Sequence, residues 1–559
     1  MKDYKNILTI TIVSVLLTSA NAQLAPKPPL GWNSYDCFGF DVHEDEVKEN
    51  ADYMATNLLE YGWEYVVIDF LWYVDGLTVA AWNDNRKEAY RDSILIDDYG
   101  RMLPRLDKFP SAIGDAGLKS LGDYVHDKGL KFGVHLMAGI PKTAYDKDTP
   151  IKGTDFTARD ITDVNGRIPN WYGGMYAVDM SKDGAQEYYN SLIDLYADWG
   201  VDYIKIDGIV NPYRTDEITG YFEAAKNNDR NIVVSLSPGI SGGVSRRSSH
   251  VKANSNLWRI KGDVWDRWDD IVETMPLMRN WNNHRVESSW PDADMLPLGK
   301  ISIRSEALWA HDLEIRQSRF TENEQRAMMT MWNIYRSPLM FGGHLPESND
   351  FSIRLLKNKW ALHINQNTKN NQQVVNQNET LVWKAEDIEN DEVFISFLNM
   401  NDDTQEVSVS YSELNVSGQY AIYDIWDGDS LGVFSEAFAR DLAPHDGRLY
   451  RMVPVATDPS NPTDGIVNSV DHEAYDWIEQ GPNPTSNTYS IRLNRPGVKI
   501  KKVVLSDVQG HLVHLPQYVN DKTVTLFNIE NLESGIYFVD VKIIKGTTSY
   551  NIRNKVIKR

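Results

Sequence analysis

Residues 184–208 read GAQEYYNSLIDLYADWGVDYIKIDG, and they define a unit that recurs along the chain. The first part places Leu192, Leu195 and Tyr196 on one face of a helix. The second part, Tyr203-Ile-Lys-Ile-Asp207, is a short apolar run that ends on an acid. Because an amphipathic helix followed by a buried strand is the building block of parallel α/β folds, the stretch predicts a strand with a carboxylate at its end.

Seven similar apolar runs lie between Pro28 and residue 365, and helical stretches such as residues 44–61 separate them. They are Leu30-Gly-Trp32, Tyr65-Val-Val-Ile-Asp69, Lys131-Phe-Gly-Val-His135, Ile232-Val-Val-Ser-Leu236, Leu257-Trp-Arg-Ile260, His284-Arg-Val-Glu287 and Pro338-Leu-Met-Phe341. Eight strands alternating with helices predict a (β/α)8 barrel over residues 23–366. A doubly wound sheet is the alternative, but no glycine-rich phosphate turn follows an early strand.

The pattern changes after residue 366, where short alternating runs follow one another without a helix. They are Leu381-Val-Trp-Lys384, Glu392-Val-Phe-Ile-Ser-Phe-Leu398, Glu406-Val-Ser-Val-Ser410 and Gln419-Tyr-Ala-Ile-Tyr-Asp-Ile-Trp426. This spacing predicts an antiparallel β-sandwich over residues 367–455. A linker rich in Pro, Asp and Ser is expected over residues 456–475.

A second β-rich domain is predicted over residues 476–559. Its start, Pro482-Asn-Pro-Thr485, its Gly535-Ile-Tyr-Phe strand and its basic end, Lys555-Val-Ile-Lys-Arg559, resemble the C-terminal sorting domains read by type IX secretion machinery. The resemblance implies that this machinery is a partner. A sugar-binding module is the alternative interpretation.

The amino-terminal residues predict export. Lys2 and Lys5 precede an apolar run over residues 7–17, and Ala20-Asn-Ala22 offers a small-x-small cleavage site, so residues 1–22 are interpreted as a signal peptide. We expect a protein exported through the periplasm that is secreted or held at the cell surface, without a membrane span. A net charge of −22 opposes nucleic acid as a partner, and Cys37, the single cysteine, leaves no disulfide.

Polar and aromatic side chains stand at or just after the carboxyl ends of the predicted strands. They are Trp32, Asp69, His135, Asp207, Ser237, Asp263 and Asp292. In a barrel these ends meet at one mouth, which is where barrel enzymes hold their active sites. The sequence therefore predicts one site at that mouth.

Asp207 and Asp263 are candidates for the two carboxylates of a retaining glycosidase, one as nucleophile and one as proton donor. Lys205 lies two residues before Asp207 on the same face and would favour its ionised form. By position alone, either acid could instead cap a following helix. Asp292 and Asp294 could chelate a metal, although structural hydrogen bonding is the favoured interpretation.

Six motifs in order resemble glycoside hydrolase family 27, the α-galactosidases and α-N-acetylgalactosaminidases, across residues 28–455. They are Pro29-Leu-Gly-Trp-Asn-Ser34, Val67-Ile-Asp69, Lys205-Ile-Asp-Gly208, Trp258-Arg259 with Asp263, Trp290-Pro-Asp-Ala-Asp-Met-Leu296 and Ser337-Pro-Leu-Met-Phe-Gly-Gly343. The resemblance implies an exo-acting retaining hydrolase that releases α-galactose-type residues from oligo- or polysaccharides. It implies Asp207 as nucleophile and Asp263 as acid/base, with carboxyl groups about 5–5.5 Å apart. No metal or organic cofactor is expected.

The resemblance also implies which residues bind the sugar. Asp69, Lys205 and Arg259 would contact galactose-type hydroxyls, and Trp32 and Met295 would line the pocket.

Two positions depart from the family pattern. The second Asp that usually follows the one at Asp69 is replaced by Phe70, which favours a 6-deoxygenated sugar or a pentopyranose. Ser237 stands where galactosidases carry a Glu, and a small residue there is similar to the α-N-acetylgalactosaminidases. An α-N-acetylgalactosaminidase or a β-L-arabinopyranosidase is therefore an alternative function. A Schiff-base enzyme using Lys205 and a non-catalytic sugar-binding protein are alternatives of other classes.

Overall fold

A computed structural model describes residues 24–76, 93–169, 171–240, 244–304 and 314–455, and in the C-terminal part residues 477–481, 488–493, 497–507, 512–514, 524–528, 532, 534–545 and 548–558. The predicted signal peptide, the predicted linker and the Pro482-Asn-Pro-Thr485 motif lie outside the described residues.

The first part of the chain alternates strands with helices. Its strands are β1 Leu30–Asn33, β2 Tyr65–Ile68, β3 Lys131–Met137, β4 Ile140–Pro141, β5 Thr162–Asp163, β6 Met175–Val178, β7 Val201–Asp207, β8 Val233–Leu236, β9 Leu257–Arg259, β10 Trp290–Asp292, β11 Lys300–Ile301, β12 Arg316–Gln317 and β13 Leu339–Phe341. Its helices are α1 Tyr35–Phe38, α2 Glu44–Asn57, α3 Lys119–Asp127, α4 Lys142–Lys147, α5 Ala158–Ile161, α6 Ala185–Asp198, α7 Thr215–Asn227, α8 Val244–Ala253, α9 Trp268–Trp281, α10 Glu322–Tyr335, α11 Asp350–Leu356 and α12 Lys359–Asn367.

Eight of these strands form a parallel barrel. Their order is β10-β9-β8-β7-β3-β2-β1-β13, and neighbouring strands pair in parallel. The ends of this sheet join because Leu296, just after β10, donates its amide to Met340 O at 2.8 Å and accepts from the Gly342 amide at 2.9 Å. The predicted (β/α)8 architecture is confirmed.

Residues 184–208 fold as a helix followed by a strand, as predicted. Helix α6 buries Tyr188, Leu192 and Tyr196, and β7 follows it after a short turn. Gly200 occupies that turn with φ at 83°, a conformation that a residue with a Cβ rarely adopts. The strand is buried along most of its length and ends at Asp207, so packing of the helix sets where this carboxylate lies.

The predicted seventh barrel strand was placed too early. His284 closes a short 3-10 helix (Asn282–His284), and Val286 pairs with Ser289 in a tight reversal rather than with a barrel strand. The barrel strand is Trp290–Asp292, which pairs with β9. Val286 is 43% exposed whereas Trp290 is 2% exposed, so burial distinguishes the two segments and β-propensity does not.

The strands after the barrel form an antiparallel β-sandwich. They are β14 Thr368–Gln377, β15 Thr380–Asp387, β16 Val393–Asn399, β17 Gln405–Ser410, β18 Tyr420–Asp424, β19 Ser430–Phe434, β20 Ala437–Leu442 and β21 Gly447–Pro454. Strand β14 pairs antiparallel with β15, and β18 lies between β19 and β21, also antiparallel.

The described strands near the C-terminus build two further small sheets. They are β22 Ile478–Gly481, β23 Thr488–Leu493, β24 Val498–Asp507, β25 Leu512–His514, β26 Val524–Asn528, β27 Gly535–Lys545 and β28 Thr548–Lys558. The sheet orders are β22-β23-β26 and β25-β24-β27-β28, and a core of buried residues that includes Trp477 and Val539 lies among these strands. Within the ranges described, no helix has the length and apolar character needed to cross a membrane.

Candidate active site

The carboxyl ends of three neighbouring barrel strands bring four charged or titratable side chains together: Asp69 after β2, His135 on β3, and Lys205 and Asp207 on β7. We call these four residues the floor. Lys205 Nζ donates to Asp69 Oδ2 at 2.8 Å, and Asn33 Nδ2 donates to the same oxygen at 2.7 Å. These two contacts hold the Asp69 carboxylate in one orientation.

Both carboxylate oxygens of Asp207 are also held. The Gly208 amide donates to Oδ1 at 2.6 Å, and His135 Nε2 lies 3.3 Å from Oδ2. The buried Nδ1 of His135 has no hydrogen-bond partner among the described residues. Because Nε2 is the ring nitrogen that faces the carboxylate, we assign it a proton, which it donates to Asp207. His135 was placed at a strand end by the sequence but was not among the predicted site residues.

Charge competes with burial throughout the floor. Burial raises the pKa of Asp207, but the hydrogen bond and charge of His135, with the charges of Lys205 and Arg259, outweigh it and hold that pKa below its ordinary value. Burial likewise opposes ionisation of Asp69, and Lys205 and His135 reverse the effect, so the pKa of Asp69 is lowered. Burial lowers the pKa of Lys205, but the charges of Asp69 and Asp294 and the hydrogen bond to Asp69 together outweigh it and raise that pKa above its ordinary value. The floor therefore holds two carboxylates and an ammonium group, all ionised at neutral pH.

A second group of residues comes from the loop after β9. Asp263 lies in this loop with 56% of its side chain exposed, and we call residues 262–265 the rim loop. Arg259 Nη1 donates to Asp263 Oδ1 at 3.1 Å, while its Nη2 lies 2.9 Å from Asp294 Oδ2. The Val264 amide donates to the same Asp294 oxygen at 2.7 Å. Asp294 therefore binds Arg259, which in turn binds Asp263. It also accepts from the backbone amide of Val264, the residue next to Asp263.

Asp294 has an unusual environment for a carboxyl group. It is 4% exposed, and its backbone adopts φ of 90°, which is uncommon for a residue with a Cβ. Burial raises the pKa of Asp294 to about 7, since the opposing charge of Arg259 is offset by the like charges of Asp263 and Asp292. Asp292 accepts from the Asp294 amide at 2.8 Å, and burial raises its pKa too. Asp292 and Asp294 contact backbone amides and Arg259, which is consistent with structural hydrogen bonding.

One cavity of about 260 Å³ connects the floor with the rim loop. Its lining residues are Tyr35, Asp69, Phe70, Trp171, Lys205, Asp207, Pro238, Arg259, Gly262 and Asp263. Two cavities of about 730 and 830 Å³ lie at the amino-terminal ends of the barrel strands, and none of the predicted site residues lines them. The carboxylates, and not the cavity size, identify the smaller space as the candidate active site.

Trp32 is not among the lining residues of this cavity, and its role in binding the sugar stays a prediction. Its indole is fully buried, and Nε1 donates to Gly343 O at 2.8 Å within the barrel wall. Tyr35, on the short helix after β1, lines the cavity instead. The indole of Trp32 is packed inside the barrel wall. The turn after β1 places the Tyr35 side chain at the mouth of the barrel, where it lines the cavity.

Met295 and Ser237 lie behind the lining residues. Met295 Sδ is 3.8 Å from Lys205 Nζ, and Ser237 Oγ accepts from Arg259 Nη1 at 3.4 Å. Both are at least nine-tenths buried. They position Lys205 and Arg259, and Pro238 is the part of the Ser237-Pro-Gly239 turn that faces the cavity.

Aromatic residues occupy the wall beside Asp69. Phe70 lines the cavity where the family pattern has an acid, and its ring centroid lies 5.4 Å from the His135 ring and 6.0 Å from that of Trp171. Trp171 lies in the connection between β5 and β6, and it was not among the site residues predicted from the sequence. The wall at this position is apolar.

Comparisons with known protein families match three parts of the chain. Residues 172–367 match the family described as Alpha galactosidase A, and residues 377–452 match the Alpha galactosidase C-terminal beta sandwich domain. Residues 482–558 match the Secretion system C-terminal sorting domain, as the sequence predicted.

Individual proteins show the same similarity. A β-L-arabinopyranosidase of glycoside hydrolase family 27 from Geobacillus stearothermophilus, solved in complex with arabinose, is 42% identical with a TM-score of 0.73, over 77% of this chain and 98% of that one. A putative α-N-acetylgalactosaminidase from Bacillus halodurans is 37% identical with a TM-score of 0.68, over 76% and 97%. An α-galactosidase from Oryza sativa subsp. japonica is 25% identical over 77% of this chain and 86% of its own length.

Proposed function

The chain belongs to glycoside hydrolase family 27, and on that premise we propose that it removes single terminal sugars with retention of configuration, using Asp207 as nucleophile and Asp263 as acid/base. The observation that carries this proposal is that both carboxylates line one cavity of about 260 Å³ together with Asp69, Lys205 and Arg259. Asp69 and Lys205 are buried at the floor and Asp263 is exposed at the rim, an arrangement that suits a chain end entering from the rim. We expect the two carboxyl groups to lie about 5–5.5 Å apart, as a retaining mechanism requires.

In the first step, Asp207 attacks the anomeric carbon while Asp263 donates a proton to the glycosidic oxygen. The bond to the leaving group breaks and a covalent ester to Asp207 forms. An ionised nucleophile is needed, and the hydrogen bonds from Gly208 and His135 favour that form. In the second step, Asp263 takes a proton from water, which attacks the same carbon and releases the sugar.

The remaining polar groups orient the sugar. Asp69 accepts and Lys205 donates, so together they can bind two neighbouring ring hydroxyls, while the guanidinium of Arg259 can bind another. Positive charge from Lys205 and Arg259 also offsets the negative charges of Asp69 and Asp207 in a confined space. The floor therefore fixes the ring so that the anomeric carbon faces Asp207.

The preferred sugar is a β-L-arabinopyranoside, with an α-D-galactoside as the weaker substrate. The two share the same ring hydroxyl configuration, and galactose adds a hydroxymethyl group at carbon 5. Phe70 presents an apolar wall at the position from which the family's usual acid would bind that group. A hydroxyl buried there without a partner would cost about 1–3 kcal/mol. The arabinopyranosidase among the similar structures supports the same choice.

The site of action follows from the sorting domain. Residues 482–558 match a secretion sorting domain, which indicates export by type IX secretion. We infer that the enzyme meets its glycan outside the cell or at its surface.

The test compares 4-nitrophenyl β-L-arabinopyranoside, α-D-galactopyranoside and α-D-N-acetylgalactosaminide as substrates, and follows the first-formed anomer by proton NMR. We expect the highest kcat/KM on the arabinoside and a product of unchanged anomeric configuration. Phe70→Ala should raise the galactoside-to-arabinoside ratio of kcat/KM about tenfold, because it frees space for the hydroxymethyl group. An inverted product would contradict the mechanism, and a wild-type preference for either of the other glycosides would contradict the sugar assignment.

A further inference from the structure

Two half-exposed aromatic side chains lie close to Asp263, and the cleavage chemistry uses neither of them. Tyr35 lines the catalytic cavity. The centroid of its ring lies 6.4 Å from that of Trp265, and the ring planes are inclined by 54°. Trp265 follows Asp263 by two residues in the rim loop, so the proposed proton donor and this indole share one short segment.

Buried carboxylates hold the backbone of the rim loop. The Val264 amide donates to Asp294 at 2.7 Å, and the Trp265 amide donates to Asp270 Oδ2 at 2.9 Å. Asp270 is 5% exposed and also binds the side chain of Arg267 at 2.9 Å. Two consecutive amides therefore end on two buried acids, which gives the loop a defined conformation and fixes the position of the Trp265 backbone next to Tyr35.

We propose that Tyr35 and Trp265 bind the leaving group, and that this group is a pyranose ring of a larger glycan. We call the two side chains the aromatic platform. The inference rests on the proposed function, because the acid/base must touch the glycosidic oxygen and thereby marks the side on which the leaving group departs. The ring attached to that oxygen begins within hydrogen-bonding distance of Asp263. Tyr35 lines the cavity together with Asp263, and Trp265 follows Asp263 by two residues and contacts Tyr35.

The chemistry of the aromatic platform suits a sugar. The flat faces of indole and phenol bind the apolar C–H face of a pyranose, while Asp263 and Arg259 nearby can bind its hydroxyls. At 6.4 Å between centroids and 54° between planes, the two rings contact each other as a tilted pair, so they would offer adjacent surfaces to one face of the sugar. An aryl leaving group offers a similar flat face, so the test includes one.

The test measures kcat/KM of wild type, Trp265→Ala and Trp265→Phe on three substrates. They are β-L-arabinopyranosyl fluoride, whose leaving group needs no platform, the 4-nitrophenyl glycoside, and a disaccharide with a non-reducing β-L-arabinopyranose. We expect Trp265→Ala to lose about tenfold on the disaccharide, the loss typical of one ring contact, and less than twofold on the fluoride. Trp265→Phe should keep most of the disaccharide activity because it retains an aromatic face.

Trp268→Ala provides a matched control, since Trp268 begins α9 and stacks on His445 with centroids 4.3 Å apart, and it is not a lining residue of the catalytic cavity. Trp268→Ala should leave kcat/KM unchanged on both the disaccharide and the fluoride. An equal loss by Trp265→Ala on fluoride and disaccharide, or no loss on the disaccharide, overturns the aromatic platform. A larger loss on the nitrophenyl glycoside than on the disaccharide overturns the assignment to a sugar.

Failure of the proposed function would be seen separately. A wild-type enzyme that hydrolyses neither the arabinosyl nor the galactosyl fluoride contradicts the cleavage proposal. Calorimetric titration of the disaccharide then decides the aromatic platform: weaker binding by Trp265→Ala than by wild type supports it, and equal binding overturns it.

Discussion

The floor and the rim loop present their carboxylates in opposite ways. Asp207 is on a barrel strand, both of its oxygens accept hydrogen bonds, and 17% of its side chain is exposed. Asp263 is in a loop, is 56% exposed and is held by one arginine. A nucleophile needs a fixed charge, which a strand end surrounded by cations supplies. A proton donor must exchange protons with water, and a loop at the mouth allows that.

The largest effect is expected at the floor. Asp207→Ala should lower kcat on the order of 10⁴-fold or more on every substrate, because in the proposed mechanism Asp207 forms the glycosyl ester. Turnover is measured with the arabinosyl fluoride, with added azide as an external nucleophile to restore a product of opposite configuration. Asp202→Asn is the matched control, since Asp202 lies at the other end of the same strand and binds His126 and Arg230. If Asp207→Ala turned over substrate at the wild-type rate, Asp207 could not be the nucleophile.

A change in the rim loop should act selectively. Asp263→Ala should lower kcat/KM, which reports the step that forms the glycosyl ester, by roughly 10²–10⁴-fold on a disaccharide, whose leaving group needs a proton. On the fluoride, whose leaving group needs none, the loss in kcat/KM should be less than about tenfold. The ratio of the two losses is the measurement. Asp269→Asn, an exposed acid six residues later, should have no effect on either substrate. Equal losses on both substrates would show that Asp263 holds structure and does not donate the proton.

His135 should move the acidic limit of activity. It is a main cause of the lowered pKa of Asp207, so His135→Phe leaves burial less opposed and raises that pKa. Because the nucleophile must be ionised, the acidic limb of the kcat/KM profile should shift to higher pH. His135→Gln, which keeps an amide donor, should shift it less. If the acidic limb of the kcat/KM profile stays at the same pH in both variants, His135 does not lower the pKa of Asp207.

Asp294 is expected to give the smallest effect, on stability and its pH dependence. Its pKa is raised to about 7 in the folded protein, so folding favours the protonated form. The stabilisation from this proton is complete below the unfolded pKa of about 4 and is lost as pH rises through about 7. Asp294→Asn should therefore reduce the fall in thermal unfolding midpoint between pH 4.5 and pH 8. The check is calorimetry of both proteins, with Asp269→Asn as control; an unchanged slope would contradict it.

Most of the barrel followed from hydrophobic periodicity. The strands ending near Asp69, His135 and Asp207 were placed within a few residues, because buried parallel strands are continuous apolar runs. The error at His284-Arg-Val-Glu287 has a physical cause. A short segment with one Val resembles a strand, and only its exposure reveals that it does not pack in the barrel wall.

The candidate site was predicted in part. Residues at strand ends, such as Asp69, Lys205 and Asp207, were identified because barrel topology brings those ends together. Tyr35, Trp171 and Pro238 lie in turns and long connections, whose direction depends on packing with distant segments. Trp32, which the resemblance places in the pocket, has a fully buried indole that donates to Gly343 O.

The order of residues along the chain specifies seven of the eight barrel strands, the sandwich, the sorting domain and the acids at the strand ends, since each depends on local periodicity or on short motifs. Which side chains share the cavity depends on contacts between residues far apart in the chain, such as Lys205 with Asp69 and Arg259 with Asp294. Burial and charge act through space between residues that are distant in sequence. The lowered pKa of Asp207 and the contact of Arg259 with Asp263 therefore follow from the fold and cannot be predicted from sequence neighbours.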